Sequence, residues 1–437
     1  MNIILLSGGS GKRLWPLSNE VRSKQFLKIY KKKDGTFESM VQRVFGQIRT
    51  VDPEARITVA TSKSQVSSIL SQLSNQVNLS VEPSRKDTFP AIALAVAYMH
   101  ETLKVDQDDS VCVCPIDHYV SSDYYLSVKR LGEQALKGEA ELMLLGIQPT
   151  YPSDKYGYII PCGEDETAWV SKFKEKPDCE TAKRYISEGA LWNAGVFAFR
   201  LRYVLDTAKK LLGTSSYSEL LSAYDELPKI SFDYAVVEKT DRIQVTRYRG
   251  EWRDIGSWST LSQTMTDAMV GKVFTDGKCE NSYVINDLDI PILCMGTRDL
   301  TVAASPDGIL VADNHEADQI KGYVDKINQG IMYAEKSWGL FRILDAGTNS
   351  LTIKITMKAG DHMSYHAHDY RDEVWTVVSG EGKMILDGME RQIRPGDIIT
   401  AKAGCKHTVY AATELVLIEV QLGEDISVHD KHKYPLV

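Results

Sequence analysis

The sequence predicts an α/β protein: a Rossmann-like domain with a mostly parallel sheet, then a short β-rich segment, then a C-terminal β-barrel. Three observations carry this. Through the first 260 residues, short apolar runs alternate with stretches of helical periodicity, the pattern of strands linked by crossover helices. From about 270 to 330 the helices give way to short β-like runs split by turns. The last hundred residues are β-like throughout, with Gly-containing turns between the runs, which suits a small double-sheet barrel.

The 437 residues exceed one ordinary domain. The texture changes divide them into 1–265, 266–330 and 331–437. Apolar and charged contents of 43% and 25% are ordinary for a globular chain. A net charge of −8 argues against nucleic acid as the partner. There is no apolar run of membrane-spanning length and no charged leader before a hydrophobic stretch, so a cytoplasmic protein without a membrane partner is expected. Seven Cys at 112, 114, 162, 179, 279, 294 and 405, with no Cys-x-x-Cys pair, read as buried reduced thiols.

In the first domain Ile57–Ala60, Val111–Pro115 and Leu142–Ile147 read as strands. Ser64–Leu73, Pro90–Leu103 and Ser127–Ala135 read as helices. The first strand, Ile3 to Leu6, runs into Ser7-Gly8-Gly9-Ser10-Gly11-Lys12-Arg13. Gly8, Gly9 and Gly11 let the backbone approach a ligand closely. Their N–H groups, with Lys12, Arg13 and then Lys24, form a phosphate cradle. A Gly-rich turn is also simply a tight turn. Walker A is excluded, because Arg13 follows Gly11-Lys12 and Leu6 stands at the first Gly position; the dinucleotide fingerprint fails at Leu14. Asp117, in Cys114-Pro115-Ile116-Asp117-His118, follows another strand end. A carboxylate there can hold Mg²⁺ against a triphosphate, or cap the next helix. His118 either orients Asp117 or packs.

Gly8-Gly9-x-Gly11-x-Arg13-Leu14-Trp15-Pro16-Leu17-Ser18 followed by Lys24-Gln25-Phe26-Leu27 resembles the signature of sugar-1-phosphate nucleotidylyltransferases, in the version of the mannose-1-phosphate guanylyltransferase family. Ser23 stands where that family usually has Pro. The resemblance implies GTP and mannose 1-phosphate as substrates, Arg13 and Lys24 on the phosphates, and Mg²⁺ held by Asp117 and by Asp254 of Trp252-Arg253-Asp254-Ile255-Gly256-Ser257-Trp258. It assigns the loop with Glu82 and Lys86 to the nucleotide; here Lys86, Asp87 and Phe89 replace the family's Arg, Asn and Ala. It assigns Gly157, Glu175, Lys176, Asn193 and Gly195 to the sugar pocket. The segment Ser231-Phe232-Asp233-Tyr234-Ala235 with Glu238-Lys239 matches as well, without a stated role. The β-rich segment resembles one that packs between subunits, so a homodimer is expected, with residues 319–329 as a helical linker. A related sugar 1-phosphate, or a non-catalytic sugar-nucleotide sensor, are the alternatives.

Six of nine His fall after residue 360. Gly360-x5-His366-x-His368-x4-Glu373-x6-Gly380, then Gly396-x7-Gly404-x2-His407, has the spacing of a metal site. Two His two apart share one face of a strand, and Glu373 and His407 converge from neighbours. Three imidazoles and a carboxylate suit Zn²⁺, Mn²⁺, Fe²⁺ or Ni²⁺. These runs resemble the two cupin motifs, with Lys402 where the second usually has Pro. A guanylyltransferase followed by a cupin resembles the enzymes joined to a type II mannose-6-phosphate isomerase, which implies mannose 6-phosphate as a second substrate. Ser364, Arg371, Trp375 and Ile418-Glu419-Val420-Gln421 fit that isomerase; its first ligand is commonly Gln, where this chain has His366. The alternative is a structural or regulatory cupin. His362, His429 and His432 lie outside the pattern and read as surface or tail residues.

Overall fold

The computed structural model describes residues 1–8, 12–19, 21–327, 330–427 and 429–435. The chain divides into two compact units. One comprises Met1–Ser10, Gln25–Val66 and Leu73–Thr266; the other comprises Gly11–Lys24, Ser67–Gln72 and Asp267–Val437.

The first unit is built on a nine-stranded sheet. Its order is Asn78–Glu82, Arg56–Ser62, Asn2–Ser7, Ser110–Pro115, Leu191–Arg200, Leu142–Ile147, Ile243–Tyr248, Thr167–Lys174 and Tyr158–Pro161. Seven strands run one way. Leu191–Arg200 and Thr167–Lys174 run the other way, so the sheet is mixed rather than wholly parallel. The apolar runs read from the sequence are the strands Arg56–Ser62, Ser110–Pro115 and Leu142–Ile147. The last is buried at every position, as a strand covered on both faces must be.

The predicted helices occur at Val66–Leu73, Thr88–Glu101 and Tyr124–Lys137. Thr88–Glu101 is apolar nearly all round and packs in the core with Ile4, Val113, Leu144 and Phe197. It begins at Asp87, whose side chain accepts from the Thr88 N–H at 2.8 Å. Tyr124–Lys137 ends at Gly138, which takes the left-handed conformation at φ 74°. Because seven strands share a direction, their carboxyl ends lie along one edge of the sheet, where such folds bind ligands.

In the second unit Met269–Gly271, Tyr283–Asn286 and Leu300–Ser305 pair in parallel, and Gly308–Asp313 closes this sheet antiparallel. The helical linker expected over 319–329 is much shorter. Only a 3-10 turn at Ala317–Gln319 and a four-residue helix at Lys321–Val324 form, and residues 328–329 lie outside the described part. The helix that forms includes Gly322 and the β-branched Val324, both weak helix formers, and does not extend past Val324.

Two antiparallel sheets complete the unit. Six strands run in the order Tyr333–Lys336, Gly339–Ala346, Ser350–Met357, Leu415–Gly423, Arg371–Ser379, Ile398–Ala401. Five run Met389–Ile393, Gly382–Leu386, His407–Ala411, His366–Ala367, His432–Lys433. Ile355, Met357, Trp375, Met384, Val409, Leu415 and Leu417 fill the space between them. His362 is exposed, as expected of a surface residue; it also bridges to Tyr410, and their rings stack at 4.9 Å. His432 lies in the edge strand of the smaller sheet. The cysteines are unpaired; Cys112, Cys114 and Cys294 are buried as expected, whereas Cys162 and Cys179 are exposed.

Candidate active site and candidate metal centre

The strand Ser110–Pro115 ends at the sheet edge, and Ile116-Asp117 turns the chain into the short strand His118–Val120. That strand pairs antiparallel with Trp252–Asp254, so Asp254 lies opposite His118, and the Ile255 N–H reaches the Asp117 carbonyl at 3.3 Å. Asp117 and Asp254, 137 positions apart in sequence, are thus brought together by a three-residue ladder. The ligand atoms of Asp117, His118 and Asp254 all lie within 4.8 Å of one another. Two carboxylates and an imidazole at that spacing suit a divalent cation. His118 sits edge-on to Trp252 at 4.9 Å.

A cavity of about 220 Å³ opens beside them. Asp117, Asp254, Gly157, Glu175, Asn193 and Gly195 line it, together with Lys155, Tyr156, Asp233 and Trp252. The strand Leu191–Arg200 breaks register between Asn193 and Phe197, which bulges Asn193 to Gly195 toward the site. Gly195 takes φ +66°, where a side chain is strained. The Asn193 amide oxygen accepts from the Gly195 N–H at 3.0 Å, and its Nδ2 donates to Asp233 at 2.7 Å. Lys176 pairs with Glu175 at 2.7 Å. Burial disfavours the Lys176 charge, but Glu175 foremost, with Asp233 and Tyr234, outweighs this and the ammonium is held above its ordinary value. Glu238 accepts from the Glu175 N–H at 3.1 Å and from Lys174 at 3.2 Å, which steadies this turn.

Gly157 leaves no room for a side chain. A Cβ there would stand 2.6 Å from Glu175 Oε2 and 2.8 Å from the Phe173 ring. Gly157→Ala is therefore expected to displace Glu175 and raise the KM for the sugar phosphate by about tenfold or more, about the loss of one charged hydrogen bond, while the KM for nucleotide stays constant. Steady-state kinetics with each substrate varied in turn is the check.

Asp233 and Tyr156 received no role from the sequence. The available signals were a lone acid in a short apolar helical turn, Phe232–Ala235, and a tyrosine beside a glycine of the pocket. Burial, and then the Glu175 charge, push the Asp233 carboxyl up to about 7. An ordinary Asp titrates near 4, so the folded state holds this proton more tightly than the unfolded state. The contribution to stability is present below about pH 4 and is lost as pH rises through about 7. The unfolding free energy relative to Asp233→Asn should fall over that window; parallel denaturant titrations at pH 5 and pH 8 measure it.

A second cavity, of about 250 Å³, lies at the ends of Asn2–Ser7, Arg56–Ser62 and Asn78–Glu82. Gly8, Glu82, Arg85, Asp87, Ser7, Ser62 and Gln65 line it. Ser7 donates to Gln65 at 2.9 Å, as does Thr61 at 3.0 Å. Glu82 accepts from the Tyr224 hydroxyl at 3.0 Å, and burial pushes its carboxyl up. Of the three departures from the family pattern in this loop, only Asp87 faces the cavity. Its φ of +70° is one that Asn and Asp tolerate better than most residues. The Lys86 ammonium instead donates to the Asp225 carbonyl, and Phe89 is buried in the core against Phe232. Arg13 is exposed on the turn Lys12–Leu14, and Lys24 is half-buried at the start of the turn Lys24–Phe26; both belong to the second unit. Gly9, Gly11 and the Lys12 side chain lie outside the described residues.

In the barrel, His366, His368, Glu373 and His407 come together, all buried, with ligand atoms within 4.8 Å. His366 lies across the ladder from His407. Each imidazole is oriented through Nδ1 by a backbone carbonyl: Ser364 at 2.7 Å for His366, Cys405 at 3.0 Å for His407, and Asp430 for His368. That leaves the Nε2 atoms toward the centre, the arrangement of metal-binding histidines. Glu373 meets His368 Nε2 at 2.9 Å and His407 Nε2 at 3.0 Å, and the latter is too poorly aligned for a hydrogen bond. A buried Nε2 aimed at a carboxylate without a bond to it fits a shared cation. Burial alone would push the Glu373 carboxyl up, but the two imidazoles hold it far below the carboxylate range; burial also lowers His366, keeping it neutral. The group opens on a cavity of about 590 Å³ with Lys336, Trp338, Phe341, Ile355, Glu419 and Lys431 on its walls.

Residues 2–269 match the Nucleotidyl transferase family, and residues 353–421 match the Cupin domain family. The mannose-1-phosphate guanylyltransferase of Escherichia coli (strain K12) is 31% identical over 468 aligned residues, covering 98% of this chain and 96% of that protein. Mannose-1-phosphate guanylyltransferase ManC of Salmonella typhimurium is 30% identical, again over 98% and 96%. A solved structure from Thermus thermophilus, described as a mannose-1-phosphate geranyltransferase, superposes with TM-score 0.62 at 28% identity, covering 75% of this chain and 99% of that one.

Proposed function

The chain belongs to the mannose-1-phosphate guanylyltransferase family of nucleotidyl transferases, and from that premise we propose that it transfers GMP from GTP to α-D-mannose 1-phosphate, releasing pyrophosphate and giving GDP-mannose for polysaccharide biosynthesis. The observation that carries the proposal is the pairing of Asp117 with Asp254 at the mouth of a cavity that also holds Glu175, Asn193 and Gly195. In this reading residues 1–265 are the transferase, 266–330 a β-rich connection and 331–437 the cupin. A phosphate oxygen of the sugar 1-phosphate attacks the α-phosphorus of GTP in line, and the bond to the β-phosphate oxygen breaks. No covalent enzyme intermediate is required, so the chain's contribution is positioning and charge stabilisation. Asp117 and Asp254 would hold Mg²⁺, which when bound offsets the negative charge of the meeting phosphates.

The family resemblance assigns Gly8, Gly9, Gly11, Lys12, Arg13 and Lys24 to the triphosphate, and we take over that assignment as part of the proposal. Glu82, at the second cavity, offers a carboxylate to the two adjacent N–H donors of a guanine edge, which adenine lacks. Lys86 supports this loop through Asp225. Gly157, Glu175, Lys176, Asn193 and Gly195 receive the sugar. Exposed Phe274, Leu293, Ile309 and Val311 on the β-rich strands support a homodimer. The test is a pyrophosphate-release screen of nucleoside triphosphates against sugar 1-phosphates. GTP with mannose 1-phosphate should lead; nucleotide binding with no turnover for any pair would instead make the protein a sensor.

A second reading concerns the barrel and rests on the buried quartet, of which His366, His368 and Glu373 line its cavity. His366, His368, Glu373 and His407 would hold a divalent Zn, Mn, Fe or Ni ion, which polarises a sugar carbonyl when bound. Glu419 lies in the same cavity, pushed up to about 8 by burial and by the Glu373 charge, and can take and return a proton between C1 and C2. Mannose 6-phosphate is the substrate this implies. A metal-loaded protein that forms no fructose 6-phosphate would leave the cupin structural or regulatory.

A further inference from the structure

The sugar cavity contains a carboxylate that stands outside the metal pair and takes its hydrogen bond from an amide rather than from a lysine. Asp233 lines the same cavity as Asn193, Glu175 and Gly157, yet it is not part of the cluster of Asp117, His118 and Asp254. Lys176 is turned to Glu175 at 2.7 Å. What Asp233 does hold is Asn193: its Oδ1 accepts from Nδ2 at 2.7 Å. The Asn193 oxygen is meanwhile committed to the Gly195 N–H at 3.0 Å. These two bonds leave only one orientation for the amide. Asn193 keeps one N–H, and Asp233 keeps acceptor capacity beyond that single bond.

Donor and acceptor therefore stand side by side on one wall. A hydroxyl, which accepts and donates at once, is the group that satisfies both. A phosphate at this wall would meet the Asp233 carboxylate; the positive charge it needs stands elsewhere in the site, on Lys155 and on Lys176 beside Glu175. We infer that Asp233 is a specificity-determining residue whose carboxylate accepts one hydroxyl of the acceptor sugar, read jointly with the Asn193 amide. The inference rests on the sugar-1-phosphate reading of this cavity and adds the group that distinguishes one hexose from another.

A carboxylate that only orients Asn193 would affect every sugar alike; one that reads a hydroxyl affects one ring position. The experiment compares kcat/KM for mannose 1-phosphate and its singly deoxygenated analogues at saturating GTP and at pH 8, where Asp233 is ionised, in the wild type and in Asp233→Asn. In the wild type, removal of the recognised hydroxyl should cost about 10- to 100-fold, the range for a hydrogen bond to a charged group. In Asp233→Asn the parent sugar falls by a similar factor, and the penalty at that one position collapses to about one. Penalties at the other positions and the KM for GTP remain unchanged. Asp233→Ser carries the same comparison if the Asn variant folds poorly. A uniform loss across all analogues, or no change in the pattern, overturns the inference. Absence of wild-type turnover with any sugar 1-phosphate overturns the transferase reading instead, so the two failures are distinct.

Discussion

Asp254→Asn is expected to lower pyrophosphate release from GTP and mannose 1-phosphate by about 10³-fold or more, with the fold intact. The side chain is half-buried at the end of a three-residue strand, and the ladder to His118–Val120 is made by backbone groups that the substitution leaves alone. What changes is charge. One of two carboxylates at the site becomes neutral, and the site's hold on a divalent cation weakens just where a triphosphate and a sugar phosphate must approach each other. At 4 Å and an effective dielectric of about 20, each unit charge pair contributes about 4 kcal/mol, so losing one carboxylate accounts for a loss of this size. Raising Mg²⁺ should recover part of the rate. Pyrophosphate release measured across Mg²⁺ concentrations tests this; near-wild-type turnover in Asp254→Asn would remove Asp254 from the metal site and with it the main support for the transferase reading.

The second large effect concerns Glu373. Glu373→Gln should empty the barrel of its metal and destabilise the barrel by about 3–5 kcal/mol, the range for breaking a buried charge pair. The carboxylate accepts from Trp375 Nε1 at 3.1 Å and Gln421 Nε2 at 3.4 Å, and it faces His368 Nε2 at 2.9 Å and Arg371 Nε at 3.4 Å. An amide of the same shape turns an NH₂ toward some of these donors and removes the charge that three imidazoles need in order to share a cation. Metal content by mass spectrometry and calorimetric melting, each with and without chelator, measure it. The wild type should lose Tm on chelation, because a ligand bound only to the folded state stabilises by mass action. A variant that keeps full metal occupancy and an unchanged melting curve would show that Glu373 is not a ligand.

Strand and helix positions in the first unit were legible because apolar periodicity is a local property of the chain. Leu142–Ile147 was read as a strand from its apolar run, and the helix Thr88–Glu101 as a helix over 90–103 from its periodicity. The barrel quartet was legible for the same reason. His366 and His368 are two apart, the spacing that puts both side chains on one face of an extended segment, although the strand itself is only His366–Ala367, and Glu373 follows on the next strand. The linker at 319–329 was read as one helix, whereas the structure has a 3-10 turn at Ala317–Gln319 and a four-residue helix at Lys321–Val324; a short stretch of weak helix formers does not sustain a longer one.

By itself, the sequence determined the kinds of chemistry present: a Gly-rich turn with basic residues, two acids at strand ends, and three histidines with a glutamate. Only the tertiary structure decided which of these meet. Asp117 and Asp254, 137 positions apart, become one site through a short ladder that pairs Asp254 with His118, the neighbour of Asp117. Asp233 becomes part of the sugar cavity because the register break after Asn193 turns that amide toward it. Lys86 and Phe89 turn to Asp225 and to the core, leaving Asp87 as the one altered residue of its loop that faces the second cavity. Long-range pairing, a strand bulge and side-chain direction are set by packing across the whole unit, and no local window of sequence contains them.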